Sequence, residues 1–410
     1  MPVNSGGMGM RQATTAPFPH ATRAWTALTL GVAAQTAGTV FVTTPAFLIP
    51  LLHTERGLTL AQAGLLASAP TLGMVLTLIA WGALADRVGE KWVIAGGLAL
   101  TSLAALGAAA APGYLWLGVF LLLGGAASAS TNSASGKVVV GWFPKDRRGL
   151  AMGIRQMAQP LGVTVAAVTV PSIAASGGIG AALIVPLLLT AVLAVACAIG
   201  IVNPPRPVAA MVSSDRPRNP YRASGFLWRI HAVSVLLVVP QFTLSTFALV
   251  WLVTELHVPA LAAGILVGSA QFVGAVGRIG IGVLSDRVAS RVRPLRWVAI
   301  SACVVMLLLA AAGQTGWLAG AIVLVIAMTV TVADNGLAFT SVAEMSGSAW
   351  SGRALGVQNT GQFLAASAVG PLVGALIGLV GYPLAFAIVA VCPAVAVPLV
   401  PRDGAERDHL

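Results

Sequence analysis

Gly82-Ala-Leu-Ala-Asp86-Arg87 and, 200 positions later, Gly282-Val-Leu-Ser-Asp286-Arg287 each close a long apolar run and open a short charged link. Two further pairs keep nearly the same spacing. Gly153-Ile-Arg155-Gln156 with Gln159 matches Gly356-Val-Gln358-Asn359 with Gln362, and Asn132 matches Asn335, both at an offset of 203. Registrations that agree within three residues mark two parallel copies in one chain. Parallel copies of this kind are related by an axis along the membrane normal.

The composition requires a membrane. Apolar residues make up 57% and charged residues 9% of 410 positions, against about 45–50% and about 25% in a soluble domain. So few charges cannot cover a soluble surface. A crossing takes about 20 apolar residues. The sequence predicts spans at 24–51, 61–84, 92–111, 114–140, 150–175 and 181–202, then at 225–254, 260–284, 297–313, 316–342, 352–378 and 382–401. The runs are continuous rather than alternating, which excludes a membrane β-barrel. The expected fold class is therefore an all-α membrane protein with twelve transmembrane helices in two pseudo-symmetric six-helix bundles.

The expected division is a cytosolic tail at 1–23, a first bundle at 24–202, a link at 203–224, a second bundle at 225–401 and a tail at 402–410. The link is rich in proline and arginine, and its prolines are expected to deny it a helix. If the N-terminus is cytosolic, 19 of the 23 Lys and Arg lie on the cytosolic side and only Arg56 outside, with Lys137, Arg155 and Arg278 within spans. That bias predicts both termini in the cytosol.

A net charge of +11 raises the question of nucleic acid, but the basic residues sit in short links and read as a topology signal. Cys197, Cys303 and Cys392 fall inside apolar runs at wide spacing, so neither a metal site nor a disulfide framework is expected. No cofactor motif and no nucleophile–base arrangement stands out, which argues against an enzyme. The first 23 residues lack the apolar core of a signal peptide.

The segment Gly82-Ala-Leu-Ala-Asp86-Arg87-Val-Gly89-Glu-Lys91 resembles the signature that the major facilitator superfamily carries between helices two and three, and Gly282 to Arg287 resembles its second copy. Gly141-Trp-Phe-Pro144-Lys-Asp-Arg147-Arg148-Gly149 is similar to the link between helices four and five in many bacterial members. The resemblance implies a V-shaped pair of bundles rocking about a central site in a bacterial cytoplasmic membrane. It also implies a cytosolic gate of Gly82, Asp86, Arg87, Lys91, Asp286 and Arg287. In such a gate Gly82 permits close helix approach and each Asp accepts from a facing helix N-terminus. Two family features are missing. Val119 to Gly125 is wholly apolar where many proton-coupled members carry an Arg, and Gln159-Pro-Leu-Gly162 replaces the glycine–proline pattern of drug antiporters.

Charges within spans are the functional candidates, because burial at a helix centre costs at least roughly 2.5–3.5 kcal/mol. Lys137 lies near a helix end and can snorkel. Arg155 and Arg278 fall at nearly equal depth, roughly 10 and 12 Å from one surface at 1.5 Å per residue. The family architecture would bring them together across the halves to share an anion. Arg278 also resembles the substrate Arg of monocarboxylate, oxalate and nitrate carriers, although Gly274 stands where the monocarboxylate carriers place an Asp. Asp334 is the mid-membrane acid. It is suited either to carry a proton or to serve as a fixed counter-ion of Arg278. Asn132, Asn335, Gln358 and Asn359 are expected to add hydrogen-bonding groups to the substrate site.

These readings converge on a secondary transporter of a small organic or inorganic anion, coupled to protons and monomeric. The alternatives are efflux of a drug or hydrophobic metabolite, with an aromatic cavity and no required Arg, and a membrane sensor that does not transport.

Overall fold

In the computed structural model the described residues are 21–143, 151, 154–203, 219–223, 225–288, 290–312, 317–346 and 351–402. Most of the expected tails and of the 203–224 link lie outside them, as do the side chains of Lys137, Asp86 and Asp286, while Ala21 to Arg23 of the first tail belong to the first helix. In the first half run α1 (Ala21–Phe47), α2 (Ile49–Thr54), α3 (Leu60–Val88), α4 (Glu90–Ala109), α5 (Tyr114–Trp142) and α6 (Ala158–Gly200). A short α7 (Pro220–Ala223) leads into the second half. There follow α8 (Phe226–Thr254), α9 (Ala260–Val288), α10 (Val292–Ala312), α11 (Trp317–Thr331), α12 (Asp334–Ser346), α13 (Ser351–Val389) and α14 (Val391–Leu399).

Ten segments among the described residues are long and apolar enough to cross a membrane. Two of these, Ile154–Gly200 and Ala354–Leu399, run 47 and 46 residues, about twice what one crossing takes. Each is divided by a glycine outside helical geometry: Gly178 (φ 73°, ψ −171°) and Gly381 (φ 76°, ψ 169°). A side chain disfavours this backbone region, and glycine does not. Divided there, the ten segments give twelve lengths of crossing size among the described residues. The two reversals are themselves a repeat pair, since 381 − 178 = 203.

The end of the first crossing shows the repeat at the level of single hydrogen bonds. Leu58 N donates to Leu52 O at 3.1 Å, and Val258 N donates to Leu252 O at 2.9 Å. Both close a helix through a left-handed residue, Gly57 (φ 70°) in one half and His257 (φ 54°) in the other. The next helix begins at once, with Thr59 and Gln62 forming a reciprocal capping box at α3. A methyl on Gly57 would meet no described atom within 4 Å, so Gly57→Ala pays only for the backbone conformation, about 1 kcal/mol. Its apparent Tm in a detergent melt should fall by about 2 °C. An unchanged Tm would mean the cap contributes nothing.

Three sequence expectations need correction in detail. Pro220 does not keep the link free of helix but opens α7, at the helix start where proline forfeits no hydrogen bond. The ninth crossing starts at Val292 rather than 297, with Pro294 in its first turn. The tenth crossing is not one helix. It stops at Thr331, turns through Val332 and Ala333, and restarts at Asp334.

The halves meet along two glycine-lined seams on the face opposite the termini. There α3 packs on α13, and α6 on α9. A β-carbon on Gly64 would overlap the carbonyl oxygen of Gly370, and one on Gly370 would overlap that of Gly64. A β-carbon on Gly264 would likewise overlap the carbonyl of Ala167. Backbones in such contact leave no room for a side chain. Thr164 Oγ1 donates across the second seam to Gly268 O at 3.2 Å. The halves are thus shut on the face opposite the termini. At the other ends of α3 and α9, a methyl on Gly82 or Gly282 would meet no described atom within 4 Å.

Candidate functional site

The break in the tenth crossing builds the site. Thr329, Val330, Thr331 and Val332 form a β-branched run that crowds a helix, and Asp334-Asn335 are residues that start a new one. The chain takes a tight turn there, Ala333 N donating to Val330 O at 3.1 Å. The Val332 carbonyl, no longer committed to an intact helix, accepts from Arg278 Nε at 3.0 Å. That bond fixes the guanidinium of α9 at mid-membrane. Its two terminal nitrogens have no hydrogen-bond acceptor among the described residues.

Arg278 lines a cavity of about 50 Å³ between the halves. The other walls include Phe47 from α1, Gln159 from α6, Gln241 and Phe242 from α8, and Gln271 from α9. A larger space of about 410 Å³, bounded by residues such as Leu266, Ile322 and Ile326, has almost wholly apolar walls. Ile322 and Ile326 are exposed on the outside of the bundle, where lipid would fill it, so the smaller polar cavity is the candidate site. Gln241 Oε1 accepts from Asn335 Nδ2 at 3.0 Å. Gln271 Nε2 donates to Ser245 Oγ at 3.4 Å, a weak bond.

Asp334 lies just behind this wall. It is fully buried; no donor reaches either carboxyl oxygen at full hydrogen-bond geometry, while its own backbone N–H, that of Asn335 and the charge of Arg278 act on the carboxyl. Arg278 therefore binds the Val332 carbonyl rather than closing on the acid. Leaving such a carboxyl charged costs several kcal/mol.

The other expected substrate residues are placed elsewhere. Arg155 precedes α6 and turns into its own half. Its Nε donates to Ser135 Oγ at 2.9 Å, and one terminal nitrogen reaches the carbonyl and side-chain oxygens of Asn132 at 3.0 and 3.2 Å. Ser135 passes the network on to Gln35 at 3.0 Å. Arg155 and Arg278 share none of these partners, and the cavity is lined by Arg278 alone of the two. Asn335 bridges Gln241 and Gln362, whose Nε2 donates to it at 3.0 Å. Gln358 is buried against the ring of His231, which also meets the Tyr221 hydroxyl at 2.9 Å. Asn359 Nδ2 donates to its own helix at Leu355 O, 3.0 Å away.

Of the expected gate, Arg87 and Arg287 are exposed at helix ends. Lys91 N donates to Asn203 Oδ1 at 2.9 Å, while its Nζ sits 5.2 Å from the Trp92 ring centre. Three residues that sequence reasoning did not single out for a site are central here: Gln159, Gln241 and Gln271. Each was visible as a polar residue inside an apolar run. Nothing in the one-dimensional pattern separated the three cavity glutamines from amides that merely join helices.

A profile of the Major Facilitator Superfamily matches residues 29–369. The chain is 46% identical over 377 residues to "Uncharacterized MFS-type transporter Rv2994" of Mycobacterium tuberculosis, covering 92% of this chain and 84% of that one. It is 33% identical over 180 residues, 43% of this chain and 34% of the other, to "Probable anion transporter 3, chloroplastic" of Oryza sativa subsp. japonica. Its fold superposes with a TM-score of 0.77 on a bacterial homolog of the human lysosomal transporter Spinster, at 16% identity and covering 97% and 98% of the two chains. The chain belongs to the Major Facilitator Superfamily. It is a multi-pass membrane transporter of a small-molecule substrate, not an enzyme.

Proposed function

We propose that the protein is a secondary carrier of a small organic or inorganic anion, working by alternating access in the bacterial cytoplasmic membrane with both termini cytosolic. The observation that carries this reading is Arg278. Its Nε is held by a freed backbone carbonyl, the residue lines the inter-half cavity, and its terminal nitrogens have no acceptor among the described residues. A planar fork held this way suits a carboxylate or other oxyanion, which it can bind through two parallel hydrogen bonds. The partial likeness to the rice protein supports the same class. A cavity of about 50 Å³ is far below the roughly 300–1,000 Å³ of drug-sized sites, which favours a compact substrate over drug efflux. Uptake into proteoliposomes, screened over monocarboxylates, dicarboxylates, nitrate and cyanate with and without a pH gradient, tests it. Uptake of none of these anions would defeat the reading.

Arg155 with Asn132, Gln358 and Asn359 form a second tier, reaching substrate as the halves rearrange. Asp86 and Asp286, with Gly82, Arg87, Lys91 and Arg287, latch the cytosolic side when it closes.

Asp334 carries the coupling proton. Its complete burial, with Arg278 Nε bonded to the Val332 carbonyl, supports this role over a fixed ion pair with Arg278. Asp334→Asn should abolish uptake driven by a pH gradient yet preserve exchange of labelled substrate, which moves no net proton. Loss of both together would return Asp334 to the counter-ion role.

A further inference from the structure

Two cavity amides are held by their own partners. The oxygen of Gln241 is occupied by Asn335, and its Nε2 has no hydrogen-bond partner among the described residues. The nitrogen of Gln271 is directed at Ser245, and its Oε1 has no such partner. Both residues are buried, at 6% and 9% exposure, so a group that entered beside them would meet them without competition from bulk water. The Asn335 amide directs Gln241 to present its donor end, whereas a serine hydroxyl both donates and accepts and so lets Gln271 present either end. The wall that holds Arg278 thus also presents a donor from α8 and a second amide from α9. Phe47 and Phe242 supply flat apolar surface to the same small space.

An anion such as nitrate, or an unbranched short-chain carboxylate, would satisfy the guanidinium and leave both amides unpaired. Unpaired buried amides are costly, and a site built to hydrogen-bond a substrate group rejects analogues that lack it. The aromatic walls favour a planar body over a flexible chain. Resting on the anion reading above, we propose that Gln241 and Gln271 determine specificity, selecting a compact aromatic or heteroaromatic monocarboxylate that carries a second hydrogen-bonding group. Arg278 holds the carboxylate, the phenylalanines hold the ring, and the amides read the second group.

The test is binding to the purified full chain in nanodiscs, by calorimetry, with four probes: benzoate, 3-hydroxybenzoate, pyridine-3-carboxylate and hexanoate. For the unaltered protein, at least one of the two polar ring acids should bind about tenfold or more tightly than benzoate, and hexanoate should be the weakest. In Gln271→Leu and in Gln271→Met, which avoids branching, the preference over benzoate should shrink about five- to tenfold. Gln241→Met should act in the same direction. The comparison in the unaltered protein stands even where a variant fails to fold. If the ring acids with and without a polar group bind equally, and Arg278→Gln abolishes all of them, the specificity role is overturned and the anion site survives. If no probe binds, or binding ignores Arg278→Gln, both readings fall.

Discussion

Gly64→Val is expected to stop transport while leaving each bundle folded. Gly64 and Gly370 meet backbone to backbone, and any side chain at either position overlaps the other's carbonyl. A flexible neighbour could move aside, but a main chain in mid-helix cannot. Overpacking a tight contact costs about 1–3 kcal/mol, and 3 kcal/mol displaces a two-state equilibrium by about 100-fold. Within a bundle nothing is disturbed, because the overlap lies only between the halves. The variant should therefore hold the face opposite the termini open. A membrane-impermeant thiol reagent applied to that face should label Thr43→Cys, in a background lacking the native cysteines, far more in the Gly64→Val protein than without it. Uptake should drop at least tenfold. Unchanged labelling and uptake would show that the seam is not what closes this face.

Arg278→Lys should abolish substrate binding although the charge is kept. The arginine does two things at once, donating through Nε to Val332 O and offering its terminal nitrogens to the cavity. An ammonium has no planar fork and cannot divide itself between the two. Arg278→Gln should weaken binding by more than 100-fold, because the substrate charge is left unpaired in a low-dielectric site. Combining Arg278→Gln with Arg155→Gln separates two arrangements. A combined loss smaller than the sum of the two would mean that both act on one anion at some stage of the cycle. Additive losses would mean that the networks seen here, each within its own half, are what persists. Retained binding in Arg278→Gln would remove the anion from the account.

Much of the architecture was legible because the membrane imposes long apolar runs, and duplication stamped offsets of 200 and 203 on them. Those offsets extend to features seen only in three dimensions: the glycine seams at Gly64 and Gly264, the reversals at Gly178 and Gly381, and the matched caps at Gly57 and His257. The break at Val332–Ala333 was not legible, because no proline or glycine punctuates it. It depends on β-branched crowding and on an arginine from another helix to satisfy the freed carbonyl. Equal depth along the chain, joined to the family resemblance, implied that Arg155 and Arg278 meet. Depth fixes height in the membrane but not azimuth around a helix, and Asn132 and Ser135 hold the first arginine within its own bundle. The cavity glutamines were passed over for a related reason. An amide on a span is the same letter whether it ties helices together or faces a substrate.

The brevity of the turns opposite the termini limits how the molecule can be handled. Among the described residues these connections are 55–59, 110–113, 255–259 and the reversals at Gly178 and Gly381. Little chain projects past the lipid there, so an antibody or a fused marker has almost no platform to grip. Any splice into the Gly178 or Gly381 reversal would also have to reproduce a backbone shape that side chains resist. Handles for capture, imaging or crystallisation therefore belong on the face that carries the termini.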